Sequence, residues 1–366
     1  MVAKQLISDV SLGINLQFKK SNPVSLVHFI TNRCNARCSF CFIDFDNPKT
    51  FANELTIDEI DRLTKNLGPN LQNVNITGGE PFARKELIDI INSYYTNTNI
   101  RSVFMTSNGS LPDRLEKLCE FKKTYHPERK LFLQISIDAL PKEHDRIRKI
   151  DGLFNKALQS YHIAKSNGPY VQSSVALTIS HENHEQCEEI YYYLTRKENV
   201  TNITLNIVRD EGVYKIPRPH KQAILDSYIK LTEILENDKK QGRIEGWDSK
   251  SIQGKLMNKK NQIWREVLAD IYMEPEYKVP CMAGSIFGII EANGDVRPCE
   301  ILDKPLGNVR DFDLNFMSLW QSQKAKETKD WIKDTKCNCH YDCAWSFNIL
   351  ANKKYQFDLF SSLLKI

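Results

Sequence analysis

Six short runs rich in β-branched and aromatic residues recur along the first two thirds of the chain, separated by amphipathic stretches. The runs are SLVHFIT (25–31), NVNIT (73–77), RSVFMTS (101–107), LFLQISID (131–138), VQSSVALTIS (171–180) and NITLNIV (202–208), and their composition predicts strands. One amphipathic stretch starts at Thr56, whose side chain can cap a helix ahead of Ile57 and Ile60. Others cover about 85–95, 111–121, 154–167 and 182–197. Strands alternating with helices imply parallel βαβ units whose strand carboxyl ends face a shared ligand cleft. Six such units suit an open or partial barrel better than a closed eight-fold one.

The pattern changes at 218–275. This segment is rich in Lys, Glu and Gln, with Ile224, Tyr228, Leu231 and Leu235 at helical spacing. It reads as two helices around a turn at Gly242 to Gly246, a solvated insertion with a substrate lid as the minority alternative. The last ninety or so residues show little regular pattern apart from a helix near 316–332. The predicted class is α/β. Its divisions are an N-terminal extension (1–23), the partial barrel (24–217), a helical insertion or linker (218–278) and a small cysteine-rich domain (279–366).

Composition narrows the function. The chain has 366 residues, 41% of them apolar, enough for one large core and a smaller satellite. A formal charge of +4 with both signs interspersed gives no nucleic-acid surface. No run of apolar residues is long enough to span a membrane. The N-terminus lacks the features of a secretory signal, so a cytoplasmic location is expected. Ten cysteines in such a chain point to metal or redox chemistry rather than disulfides.

Cys34, Cys38 and Cys41 spell C-x3-C-x2-C directly after the first strand. Three thiolates in a tight loop can hold three irons of a cubane and leave the fourth open to an exogenous chelating ligand. A structural zinc loop, which takes four ligands, is the rival. At the end of the next strand, Gly78 and Gly79 would let a backbone approach a ligand closely, and Glu80 offers a carboxylate for an ammonium group.

Together these motifs resemble the radical S-adenosylmethionine (radical SAM) superfamily over roughly residues 24–209. The resemblance implies a (β/α)6 partial barrel. It also implies a [4Fe–4S] cluster on Cys34, Cys38 and Cys41, with S-adenosylmethionine chelating its open iron. It places Phe40 near the adenine and Gly78, Gly79 and Glu80 around the methionine ammonium. Ser107, Asn108, Ser136 and Asp138, at the ends of the third and fourth strands, fall where the family often contacts the ribose or carboxylate. The implied activity is reductive cleavage to a 5′-deoxyadenosyl radical that abstracts hydrogen from substrate. The electron comes from a reducing donor such as flavodoxin or ferredoxin.

A second group begins C-x12-G-x4-C, from Cys281 through Gly294 to Cys299, and continues with Cys337, Cys339 and Cys343. Asn293-Gly294-Asp295 is a hairpin signal that would bring Cys281 and Cys299 near each other. Spacing alone does not separate this group from a structural zinc site. Behind a radical SAM core it resembles the SPASM/twitch extension, which carries auxiliary [4Fe–4S] clusters. With five thiols, one auxiliary cluster is expected. Cys281 and Cys299 are its firmest ligands and Cys343 fits the closing one, while the choice between Cys337 and Cys339 stays open. Cys119 and Cys187 read as buried apolar residues, His181 and His184 as exposed polar ones, and Trp264 and Trp345 as packing residues.

Glu300, directly after Cys299, is a candidate general base, because in the sulfatase-maturating branch an Asp after this cysteine has that task. The expected substrate is a small polar molecule. The cysteine loop starts too early to leave room for a peptide-leader-binding domain, and the helical insertion could close over a small ligand. A ribosomal peptide substrate is the alternative, and a non-enzymatic metal-binding protein the reading from a different class.

Overall fold

The structure is a computed structural model that describes residues 11–210, 213–247 and 250–364. Residues 1–10 of the expected N-terminal extension lie outside the described residues. The strands are β1 (Ser25–Thr31), β2 (Asn73–Gly78), β3 (Ser102–Ser107), β4 (Lys130–Ser136), β5 (Val171–Ile179), β6 (Ile203–Ile207), β7 (Phe287–Ile290), β8 (Asp295–Arg297) and β9 (Gly307–Asn308). The helices are α1 (Ile57–Thr64), α2 (Leu87–Asn97), α3 (Pro112–Thr124), α4 (Pro141–Arg148), α5 (Leu153–Ser166) and α6 (Cys187–Tyr192), then α7 (Arg218–Lys240), α8 (Ile252–Ile271), α9 (Phe316–Trp320), α10 (Gln323–Asp334), α11 (Asp342–Ala351) and α12 (Lys353–Leu364).

All six expected strands form, and they pair in parallel in the order β6-β5-β4-β3-β2-β1. The sheet does not stop at β1. β7 pairs with it in parallel, Ser25 opposite Phe287 and His28 opposite Ile290, and β8 and β9 follow antiparallel. The C-terminal cysteine domain is therefore joined to the barrel through its sheet, not only through a linker. Every residue of β1 is buried, as expected for a parallel strand covered on both faces. Leu26 and Ile30 face the helical layer, whereas Val27 and Phe29 pack with Phe287, Ile289, Cys299, Tyr341 and Ala344 of the C-terminal domain.

Local chemistry explains the elements. Thr56 caps α1 by accepting from Glu59 N, and the Glu59 side chain returns to the Thr56 N–H in a capping box. The hairpin signal at Asn293-Gly294-Asp295 gives the β7–β8 turn, with Gly294 at φ 90°. Cys119 and Cys187 are buried as expected. Trp264 and Trp345 stack on each other with ring centres 5.9 Å apart.

Three expectations fail. The stretch that reads as an insertion is not a free-standing one: α7 packs on β5, β6 and α6 and so completes the barrel, while α8 packs on α11 and α12. The stripe already visible at Ile224, Leu231 and Leu235 on α7, and that of Trp264, Leu268 and Ile271 on α8, are buried in these contacts. α4, α11 and α12 were not anticipated. His184 is buried rather than exposed, with its Nε2 3.2 Å from His220 Nδ1, and His181 Nδ1 lies 2.6 Å from the Tyr214 hydroxyl.

Candidate active site

The cysteine loop leaves β1 at Thr31 and is held from three directions. Thr31 Oγ1 and the Asn32 N–H both donate to Glu54 Oε1, at 2.8 and 3.0 Å. The end of α4 supplies carbonyls: Arg37 N donates to Arg148 O and Ser39 N to Ile147 O, each at 3.1 Å. From the end of β3, Asn108 Nδ2 donates to Asn35 Oδ1 at 2.9 Å and lies 4.0 Å from Cys34 Sγ. Helix carbonyls at a C-terminus need donors, so α4 and the loop satisfy each other.

The glycine pair meets this loop directly. Gly79 N donates to Thr31 O at 2.8 Å and Glu80 N to Arg33 O at 2.9 Å. A Cβ on Gly78, whose φ is 146°, would stand 1.9 Å from Thr31 O, and one on Gly79 would stand 2.3 Å from Arg33 O. No side chain fits at either position. The Glu80 carboxylate is buried and accepts from Phe82 N (3.0 Å) and Ser107 Oγ (2.8 Å) on Oε1, and from Asn108 N (2.7 Å) on Oε2. Burial raises its pKa and these donors oppose the rise. Each carboxylate oxygen has about two acceptor sites, so Oε2 keeps one for a further donor.

The other strand-end residues are engaged within the protein. Ser107 serves Glu80, and it also accepts from Gly109 N at 3.0 Å. Asp138 is fully buried and receives Arg148 Nε (2.9 Å) and Nη2 (2.5 Å) on Oδ2 and Thr178 N (3.0 Å) on Oδ1. Ser136 ends β4 opposite Ala176. Phe40 packs against the main core with the Arg148 guanidinium 6.0 Å from its ring centre.

Burial pushes the Cys34 thiol up to about 12, and Glu80, Cys38 and Cys41 add to the rise. Cys38 and Cys41 are raised chiefly by burial too, with Arg148 opposing. Burial opposes the charge on Arg148, but Asp138 and Cys38 more than offset it and its pKa is raised. Three partly buried thiols on one short loop ionise together only against added positive charge, and the irons of a cubane would supply it. The donor set therefore fits an iron–sulfur cluster. Nothing in the spacing of the sequence flagged Arg148.

Cys299 is buried in one cluster with Val27 and Phe29 of β1, and Cys281, Cys337, Cys339 and Cys343 pack half-buried against it. Cys281 is pushed up to about 12 by burial, with Cys299 and Cys337 adding, and Cys299 to about 11, with Cys337 and Glu300 adding. Cys339 is raised by burial and by Cys281, Cys299 and Cys337. Cys343 is pushed to about 12 by burial, and its main charged neighbours are Glu300, Asp342 and Arg209. Cys281, Cys299 and Cys339 each feel Cys337, and Cys343 feels Glu300 and Asp342. This donor set also fits a cluster. Among the described residues, no three His, Cys, Asp or Glu side chains converge as ligands of a single metal ion.

A cavity of ≈ 200 Å³ separates the cysteine loop from the hairpin, lined by Phe29, Phe42 and Asp44 on one side and Glu291, Arg297 and Glu300 on the other. Glu300 is clamped: Arg209, just beyond β6, donates to Oε2, and the Tyr341 hydroxyl donates to Oε1 at 2.5 Å. The Arg209 guanidinium lies 4.8 Å from the Phe42 ring centre. Glu291, Arg209 and Tyr341 were not anticipated: Arg209 and Tyr341 come from distant segments that only the fold brings to Glu300, and Glu291, on the same hairpin as Glu300, carries no motif.

The family models match the two halves of this arrangement. The radical SAM superfamily model matches residues 29–194, and an iron–sulfur cluster-binding domain model, SPASM, matches residues 281–344. The chain belongs to the radical SAM superfamily. This radical SAM enzyme is 24% identical over 322 residues to the sporulation killing factor maturation protein SkfB of Bacillus subtilis, covering 86% of this chain and 69% of that one. It is 29% identical over 186 residues to Fe-coproporphyrin III synthase of Methanosarcina barkeri, covering 50% of this chain and 44% of the relative. Its fold resembles that of anSMEcpe with bound AdoMet and Kp18Cys peptide, at a TM-score of 0.59 and 16% identity over 94% of this chain and 100% of that one. The radical SAM match implies a [4Fe–4S] cluster and S-adenosylmethionine, and the SPASM match implies auxiliary iron–sulfur chemistry. No described helix is long and apolar enough to cross a membrane.

Proposed function

We propose that this radical SAM enzyme is a maturase that modifies a ribosomally made peptide. The observation that carries this reading is the likeness to the maturation protein SkfB, which spans 86% of this chain, whereas the match to the porphyrin-forming relative spans half. The peptide in the anSMEcpe structure agrees with it. No described residue of 218–275 lines the cavity, and α7 and α8 brace the barrel rather than close over a small ligand. A space of ≈ 200 Å³ is below the usual range for a whole small-molecule ligand and suits one side chain.

In this reading Cys34, Cys38 and Cys41 hold the first cluster, and Cys281, Cys299 and Cys343 with either Cys337 or Cys339 supply the four ligands of one auxiliary cluster. Bound S-adenosylmethionine, reduced through the first cluster, supplies the 5′-deoxyadenosyl radical. Gly78 and Gly79 admit the methionine end, and the unused acceptor site on Glu80 Oε2 receives its ammonium. Phe40 packs near the adenine. Asn108 anchors the cysteine loop, and Asp138 holds Arg148 against the thiols. Ser107 positions Glu80, and Ser136 is left as the strand-end hydroxyl beside the ribose. The electron donor is of the flavodoxin or ferredoxin class.

The test is hydrogen transfer. Synthetic peptides from short reading frames adjacent to the gene, carrying deuterated residues, are incubated with the reconstituted enzyme and S-adenosylmethionine. Deuterium is expected in 5′-deoxyadenosine. Transfer only from small metabolites in parallel incubations overturns the peptide reading.

A further inference from the structure

The cavity holds two glutamates that are engaged to different degrees. Each Glu300 oxygen accepts a hydrogen bond, Oε2 from Arg209 and Oε1 from Tyr341. Glu291 follows directly on β7, its backbone fixed by Glu291 N to Asp295 O (2.8 Å) and Gly294 N to Glu291 O (2.9 Å). The cation beside its carboxyl, Arg297, stands at 3.6 Å, an ion-pair distance too long for a good hydrogen bond. Arg297 is drawn away by Leu302 O at 3.1 Å and Asp303 at 3.5 Å, and its buried Nε has no hydrogen-bond partner. A carboxyl and a guanidinium N–H with capacity to spare thus border one cavity between the two cysteine groups.

We propose that Glu291 is the catalytic acid–base residue of this cavity, taking a proton from an O–H, N–H or S–H group of the substrate side chain seated there. The X–H bond breaks heterolytically, the proton goes to a Glu291 oxygen, and the electron pair stays on the substrate atom, so no electron changes hands in this step. Loss of that proton makes an adjacent substrate radical easier to oxidise. Arg297 Nε is placed to hold the same substrate group. The inference rests on the radical SAM maturase reading for the identity of the ligand, and on the cavity alone for the residue.

The surroundings suit the task. Burial pushes the Glu291 carboxyl up to about 7, Arg297 opposes the rise, and Glu300 and Asp295 add to it. The other charged groups around the cavity are Asp44 on the cysteine loop and Arg209, which Glu300 holds. A base that titrates near neutrality combines the right protonation state with a useful driving force, and two carboxylates in unlike settings can divide the work.

The experiment compares full-length reconstituted wild type with Glu291→Gln, Glu291→Asp and Glu300→Gln. An infrared pH titration reads the carboxylic acid carbonyl band directly. A band that disappears with a midpoint near about 7 is expected in wild type, at a lower pH in Glu300→Gln, which loses a charge that adds to the rise, and not at all in Glu291→Gln. With the deuterated synthetic peptides as probe, product formed per 5′-deoxyadenosine should fall about a hundredfold in Glu291→Gln and recover partly in Glu291→Asp. Persistence of the band in Glu291→Gln, or an unchanged product ratio, overturns the proposal. If no peptide donates deuterium, the maturase reading fails and the infrared titration decides the role of Glu291 alone.

Discussion

Arg148 donates two hydrogen bonds to one oxygen of Asp138, at 2.9 and 2.5 Å, and both side chains are buried beside the cysteine loop. The same arginine offers its backbone carbonyl to Arg37. Asp138 therefore fixes the arginine whose carbonyl accepts from the cysteine loop. Removing one partner leaves an uncompensated buried charge, so Arg148→Ala and Asp138→Ala should each cost about 3–5 kcal/mol. Denaturant unfolding reads the loss. Iron lost from the first site but retained at the second would locate its effect.

Gly79→Ala should abolish ordered closure of the cysteine loop, because its Cβ would meet Arg33 O at 2.3 Å. The expected result is loss of S-adenosylmethionine binding in equilibrium dialysis. Wild-type affinity would show that the loop can shift without consequence.

The C-terminal cysteines should bind iron independently. Replacing Cys34, Cys38 and Cys41 together by Ala should leave a brown protein with about four irons, the content of one cubane. A colourless, zinc-containing variant would make the C-terminal group a structural zinc site.

Glu300 tests the division of labour in the cavity. Glu300→Gln keeps the shape but loses the ion pair with Arg209. Product per 5′-deoxyadenosine should fall less than in Glu291→Gln. A fall of about a hundredfold or more would return the base role to Glu300.

One pH dependence follows from the joint between α1 and the segment after β9. Hydrogen bonds from Arg310 to Glu59, at 2.6 and 2.8 Å, are the main reason the Glu59 carboxyl is lowered to about 2 from 4.5. A depressed carboxyl adds stability that is fully present above its unfolded pKa and is lost as pH falls through the folded one. Arg310→Ala should therefore be less stable than wild type by about 1 kcal/mol near neutrality. The gap should narrow as pH is lowered from about 4.5 toward about 2. A gap independent of pH would mean that Arg310 acts through packing alone.

The sequence by itself determined the parts whose signals are local. The six parallel strands follow from the β-branched and aromatic residues concentrated in each run, the α1 capping box from Thr56 and Glu59, and the β7–β8 turn from Asn293-Gly294-Asp295. The Cys34, Cys38 and Cys41 spacing and the Gly78-Gly79-Glu80 turn are local too, because a loop and a strand end are each written in consecutive residues. Tertiary structure decided the rest. The pairing of β1 with β7 joins residues more than two hundred apart and puts the hairpin beside the cysteine loop. That placement sets Glu291 and Arg297 across the cavity from Phe42, delivers Arg209 and Tyr341 to Glu300, and makes α7 and α8 a brace rather than a lid. None of this has a sequence signature. A buried ion pair or a shared cavity depends on which faces meet in three dimensions, and periodicity records only that a face exists.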